Sequence, residues 1–64
     1  MEDILHAYFT GWLDGMAGHR DPARAADHRT GCDYRIGFLD ARIEIFRLLA
    51  AVRQILEEAD DGLR

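Results

Sequence analysis

The 64-residue chain contains no lysine, no serine and no asparagine, and it has one cysteine and one proline. Without serine it lacks the commonest catalytic nucleophile, and it has neither a glycine-rich phosphate loop nor a set of triad residues. Cys32 has no partner for a disulfide within the chain, which suits a reducing compartment. The sequence therefore predicts a protein that is not an enzyme.

Signals for export and for membrane insertion are also missing. The first residues, Met1, Glu2 and Asp3, are acidic and lack the basic start and apolar run of a signal peptide. No apolar stretch approaches the roughly 20 residues that span a bilayer. We expect a cytoplasmic protein without membrane contact.

Metal ligands are scarce and scattered. His28 and Cys32 lie four residues apart and could share one helical face, whereas His6 and His19 lie elsewhere. Zinc sites in proteins usually draw on paired clusters of cysteine and histidine. We therefore expect no metal and no cofactor.

The negative charge of the chain is local. The net charge is −4, from 8 arginines and 12 acidic residues, and without four acids near the C-terminus the balance is 8 − 8 = 0. A strongly basic footprint for nucleic acid is absent, and Arg20, Arg24 and Arg29 form only a modest patch. Direct binding of nucleic acid is not expected. The four acids are Glu57, Glu58, Asp60 and Asp61.

Hydrophobic periodicity predicts an all-α protein of one domain. A first helix over residues 3–17 carries an apolar stripe through Leu5, Tyr8, Trp12 and Met16, and Gly15 and Gly18 are expected to end it. A connector over 18–31 includes a possible helical turn after Asp21-Pro22, a favourable N-cap and N1 pair. A second helix follows over 33–58, with an acidic tail over 57–64. The predicted architecture is a helical hairpin.

The second helix carries a heptad pattern that favours a coiled-coil contact. Because the first helix is about half as long, it cannot cover this seam, and we expect a homodimer through the long helix. A second apolar stripe lies on a neighbouring arc, at Leu39, Ile43, Phe46 and Ala50. The seam consists of Tyr34, Phe38, Ala41, Ile45, Leu48, Val52 and Ile55.

An internal repeat relates the two helices. The pattern Tyr-x-x-Gly-aromatic-Leu-Asp-small begins at Tyr8 and again at Tyr34, 26 residues later. Glycine inside a helix costs roughly 1 kcal/mol relative to alanine, so its repetition at Gly11 and Gly37 predicts a close helix crossing there. Coincidence in a helix-biased sequence is the alternative. The repeated Asp14 and Asp40 are expected to be solvated or paired with arginine.

The repeat also carries a family resemblance. Gly11, Trp12, Gly15 and Gly18 in the first helix, with Gly37 and Phe38 in the second, resemble the ribosome modulation factor group of small bacterial helical hairpins. The resemblance covers about residues 8–41 and implies a hairpin that associates with the ribosome. That family is basic, whereas this chain is acidic, so the likeness supports the hairpin more than the ribosome.

Two charged surfaces are candidates for binding a larger protein or a ribonucleoprotein. The C-terminal acids, with Asp40 and Glu44, could stand in for phosphates, as in a small phage-encoded inhibitor of the anti-CRISPR type, which the chain resembles in size and charge. A frayed, solubilising tail is the alternative for these acids. Arg35, Arg42 and Arg53 lie on one side of the second helix, where they could grip acidic groups or pair across a dimer.

The function predicted from the sequence is therefore binding and regulation or inhibition of a larger protein. Two alternatives stay open: a ribosome- or RNA-associated factor that uses Arg20, Arg24 and Arg29, and a purely structural dimerisation module.

Overall fold

A computed structural model describes the backbone of residues 2–62 and the side chains of residues 3–60. Three helices follow one another: α1 over Glu2–Ala17, α2 over Pro22–Ala26 and α3 over Gly31–Gly62. No strand occurs within the described residues, so the predicted all-α class is confirmed. The side chain of Asp61 and residues 63 and 64, which belong to the predicted acidic tail, lie outside the described part.

The end of α1 is set by Gly18, which has φ 72°. The Gly18 amide donates to the Gly15 carbonyl at 3.2 Å, and the His19 amide donates to the Asp14 carbonyl at 2.9 Å. These two bonds form a Schellman motif, in which glycine adopts the left-handed conformation without steric cost. Gly15, which the sequence placed at the helix stop, lies inside α1.

The connector is ordered by two aspartates. The Asp21 carboxylate caps α2 by accepting from the amides of Ala23 and Arg24, at 3.0 and 3.2 Å. The Asp27 carboxylate accepts from the amides of Arg29 and Thr30, at 2.8 and 3.1 Å. These amide donors stabilise the ionised carboxylate and lower the pKa of Asp27.

The long helix exceeds its predicted bounds of 33–58 by two residues at the start and four at the end. At its first residue, Gly31, a Cβ would lie 2.5 Å from the Ala25 carbonyl oxygen of α2, so no larger residue fits at this position. The predicted helical turn after Asp21 is present as α2.

The two long elements run parallel, whereas the helices of an αα-hairpin are antiparallel, so the helical hairpin predicted from the sequence is not confirmed. Gly11 packs against the backbone of Tyr34 and Phe38, and Gly15, one turn further along α1, packs against Phe38 and Ala41. The contacts therefore advance in the same direction on both helices. The connector with α2 returns the chain to the start of α1, where Arg29 pairs with Asp3 at 3.1 Å.

The buried core is very small. The buried apolar side chains are those of Ala7, Ala25, Tyr34 and Ala41. The Cα radius of gyration is 16.3 Å and the molecule measures 55 × 20 × 13 Å, whereas a compact chain of this length has a radius of about 11 Å. The shape follows from α3, whose residues 46–62, which we call the extension, continue about 25 Å beyond the end of α1.

Candidate binding surfaces

The α1–α3 contact is built from small residues at repeated positions. A Cβ on Gly11 would overlap the Tyr34 carbonyl oxygen, and a Cβ on Gly37 would overlap the Tyr8 carbonyl oxygen. Gly15 lies against Ala41, its counterpart in the repeat, and a Cβ there would lie 2.5 Å from the Phe38 carbonyl oxygen. The structure thus places both predicted crossing glycines at the closest approach of the helices, in a small-xxx-small arrangement.

Reciprocal hydrogen bonds flank the crossing and follow the repeat. The Tyr8 hydroxyl of α1 donates to the Asp40 carboxylate of α3 at 2.7 Å, and the Tyr34 hydroxyl of α3 donates to the Asp14 carboxylate of α1 at 2.5 Å. Asp14 and Asp40 are therefore partners of tyrosines; of the two expectations from the sequence, solvation or pairing with arginine, solvation holds for Asp40, which is exposed. The two halves of the repeat meet around an approximate two-fold axis.

The environment of each tyrosine raises its pKa. For Tyr8 the main cause is the hydrogen bond to Asp40, because ionisation would remove the donated proton. For Tyr34 the main cause is burial, followed by the bond to Asp14. The Tyr34 side chain is 1% exposed, and its hydroxyl also accepts from the Asp21 amide at 2.8 Å. Tyr34 thereby joins α1, the connector and α3.

The predicted dimer seam divides into two parts, and its first part needs correction. Tyr34 and Ala41 are buried against α1 within one chain, Phe38 is half-buried there, and none of the three forms an open surface for a second copy. The cause is the parallel crossing, which turns this face towards the glycines of α1. Ile45 is half-buried at the end of α1.

The second part of the seam is open. Leu48, Val52 and Ile55 are exposed, and Leu49 and Leu56 broaden the same side of the extension. We call these five residues the extension face. Leu49 and Leu56 were not predicted to belong to this surface, although their positions beside the heptad seam could have indicated it.

A second open surface lies on α1. Its apolar side chains point away from α3, because the glycine side of the helix faces inward, and Leu13 is 63% exposed. The stripe predicted from the sequence, Leu5, Tyr8, Trp12 and Met16, is divided by this packing: Tyr8 and Trp12 are half-buried, whereas Leu5 and Met16 are exposed. We call this surface the outer stripe; it consists of Leu5, Phe9, Leu13 and Met16.

A third apolar surface is the second stripe of α3, whose large members Leu39, Ile43 and Phe46 are exposed, as is Ala50. At about 100° per residue it lies on the opposite side of α3 from Tyr34 and Ala41.

The three aligned arginines have partners within the chain. Arg35 donates to the Ala25 carbonyl at 2.6 Å and so holds α2 against α3. Arg42 donates to the Gly15 carbonyl at 3.3 Å and lies 5.6 Å from the centre of the Phe46 ring. Arg53 pairs with Glu57, one turn further along the helix, at 3.0 Å. Arg35 and Arg42 therefore hold the fold together, and neither is wholly free for a partner.

The acidic candidates do not form one cluster. Asp40 lies beside α1, whereas Asp60 is twenty residues, or about 30 Å, further along the helix. Glu44, Glu58 and Asp60 are exposed. The structure thus separates Asp40 and Glu44 from the C-terminal acids with which the sequence grouped them.

The connector arginines are partly neutralised. Arg24 pairs with Asp21 at 3.4 Å, and Arg29 pairs with Asp3 at 3.1 Å. Both arginines line a shallow cavity of about 240 Å³ together with Asp3, His6 and Asp27. Across the side chains of residues 3–60, no three histidine, cysteine or acidic side chains are arranged so that they could hold a metal ion. Within the described helices, none has the length and apolar character needed to cross a membrane.

No family model, no curated protein and no solved structure matches this chain.

Proposed function

We propose that this chain is a non-enzymatic cytoplasmic protein that regulates or inhibits a larger protein by binding it, and that it works as a dimer joined through α3. The observation that supports this proposal is the large total surface of the chain, which accompanies a small buried core. The chain exposes 5285 Å², whereas a compact monomer of 7.3 kDa exposes about 4,200 Å². The excess, about 1,100 Å², is of the size that protein partners cover.

The outer stripe is the surface that we assign to the larger protein. Phe9 and Leu13 lie at its centre, exposed and on one side of a helix held rigidly by the crossing. Apolar side chains at intervals of three and four residues are the usual anchors of a helix that docks into a hydrophobic groove. The target in this proposal is a protein with such a groove.

Affinity capture with matched variants tests this assignment. Immobilised parent protein, Leu13→Asp and Gln54→Asp are exposed to the same host lysate; Gln54 is exposed on the extension, away from the outer stripe. We expect one protein to be retained by the parent and Gln54→Asp but lost from Leu13→Asp, because an unpaired charge opposes burial. An identical set of captured proteins on all three supports would refute the assignment.

A second candidate is an inhibitor of the anti-CRISPR type, in which the C-terminal acids occupy a basic channel in place of phosphates. The exposure of Glu58 and Asp60 at the far end of the extension supports it. In that case capture of the target should weaken as salt rises and should be lost when the acids are reversed to arginine, while Leu13→Asp should have little effect.

The alternative of an RNA-associated factor has weaker support, since Arg24 and Arg29 already pair with aspartates. Binding to RNA that falls steeply with salt would favour it. A chain that dimerises but captures no partner would instead be a structural module.

A further inference from the structure

The extension has no cover within its own chain. Its residues 46–60 are all exposed, and α1 ends before it begins. A single helix of about 15 residues is marginal in water on its own. The extension face, with Val52 51% exposed at its middle, therefore needs another surface to pack against.

We propose that the occupant is the extension of a second copy in antiparallel orientation, so that the acidic end of each copy lies beside the arginine-bearing base of the other. This inference rests on the dimer proposed above and adds its orientation and register.

The distribution of charge along α3 favours the antiparallel orientation. Residues 42–53 contain three arginines and one glutamate, a net charge of +2, whereas residues 54–60 contain three acids and no base, a net charge of −3. An antiparallel pair sets each acidic end against a basic base. A parallel pair would set the two acidic ends side by side, where like charges repel.

The register is limited by α1, which covers the same side of α3 as far as Ile45 and leaves residues 46–60 open. In a symmetric antiparallel pair, the two-fold axis therefore lies near the middle of the extension. Residues 54–60 of each copy then lie beside residues 46–53 of the other, which contain two arginines and no acid.

The shape of the extension also suits a second copy. About 25 Å of uncovered helix presents five large apolar side chains on one side. An apolar strip as wide as the extension face is typical of helices that pack in bundles. Each extension can contact the partner extension and the end of the partner's α1–α3 pair.

The orientation can be measured without any substitution, because the one cysteine of the chain is exposed and can be labelled. Cys32 accepts a nitroxide spin label, and pulsed electron paramagnetic resonance then gives the distance between the two labels of a dimer. Cys32 lies about 20 residues from the proposed axis, so antiparallel copies place the labels about 60 Å apart. Parallel copies would place them roughly 10–25 Å apart, since parallel helices in contact lie 8–10 Å apart.

Two charge reversals in the acidic end test the orientation. Asp60→Arg and Glu58→Arg each set an arginine beside the arginine-bearing half of the partner extension, and each should raise the dimer dissociation constant about fivefold, the effect of losing two surface ion pairs. In a parallel dimer both reversals would instead relieve the repulsion between the two acidic ends and tighten the dimer. Both dissociation constants can be read from sedimentation equilibrium.

The outcomes separate the orientation from the existence of a dimer. A label distance below about 30 Å, or tightening by both reversals, would overturn the antiparallel arrangement while leaving a dimer in place. A monomer at all concentrations would overturn the dimer as well. Neither result would alter the capture test on Leu13, which addresses the larger protein separately.

Discussion

At the residue scale, the glycines of the repeat decide which side of each helix is buried. The backbone of Tyr8 and Trp12 lies against Gly37, and that of Tyr34 and Phe38 lies against Gly11. Such contacts leave no room for a side chain, so the larger apolar residues of α1 are directed outward. Gly11 and Gly37 thus determine which large apolar side chains are exposed.

Replacement of Gly37 by leucine should destabilise the fold, although leucine has the better helix propensity. Overpacking of this kind typically costs about 1–3 kcal/mol, and a collision with backbone places the expected loss at the upper end. Thermal melts followed by circular dichroism measure the change. Ala50→Leu, on the exposed second stripe of α3, is the control and should stay within about 0.5 kcal/mol of the parent. An unchanged or higher melting temperature for Gly37→Leu would show that the crossing is not tight.

The free energy of unfolding should fall as the pH rises above about 10, the ordinary pKa of tyrosine. Tyr8 and Tyr34 both have raised pKa values in the folded chain, so their contribution is complete below the unfolded pKa and is lost as the pH passes the folded value. Lysine is absent and cannot produce the effect. Urea unfolding at pH 8 to 11 measures it, and Tyr8→Phe should reduce the dependence. A flat profile would contradict the two tyrosine–aspartate bonds.

At the element scale, the sequence predicts the helices well and their arrangement poorly. Periodicity and the Asp21-Pro22 signal identify all three helices, because these cues are local. The relative direction of α1 and α3 is not local. A connector of 13 residues, from Gly18 to Thr30, is long enough either to turn a hairpin or to return beside α1, and only the contacts of Gly11 and Gly15 distinguish the two.

The same limit explains the candidate surfaces. The heptad seam from Tyr34 to Ile55 is continuous in sequence, but α1 covers its first half and leaves its second half open. The apolar residues of α1 form a visible periodic pattern, and such a pattern would ordinarily predict that leucine faces the core. The contacts of Gly11 and Gly15 with α3 instead direct the leucines outward.

A charged residue introduced on the extension face should separate the two copies and unwind part of the extension. Val52→Asp places a charge at the centre of the extension face, so the copies should separate and the uncovered helix should fray. We expect a lower helical signal in circular dichroism together with monomeric mass. Gln54→Asp adds the same residue on the opposite side of the extension and should change neither quantity. Equal effects of the two variants would mean that the face does not direct association.

At the scale of the whole molecule, the small core leads us to expect that folding and association depend on each other. Light scattering at micromolar concentration should give twice 7.3 kDa. The melting temperature should rise with protein concentration, because association stabilises only the folded chain. A melting temperature that is independent of concentration, with the mass of one chain, would show that the four-residue core suffices by itself.

The outer stripe and the extension occupy different lengths of a molecule that is 55 Å long. Pairing through the extension therefore leaves both outer stripes open, one at each end of the assembly. A dimer of this form would act as a bivalent ligand for the target proposed above. When one stripe has bound, the second is held near the target at an effective concentration fixed by a stiff helical spacer, without the cost of ordering a flexible linker. A target that presents two grooves at a matching separation would be held far more tightly than one groove allows, and a target with a single groove would be joined to a second molecule of its kind.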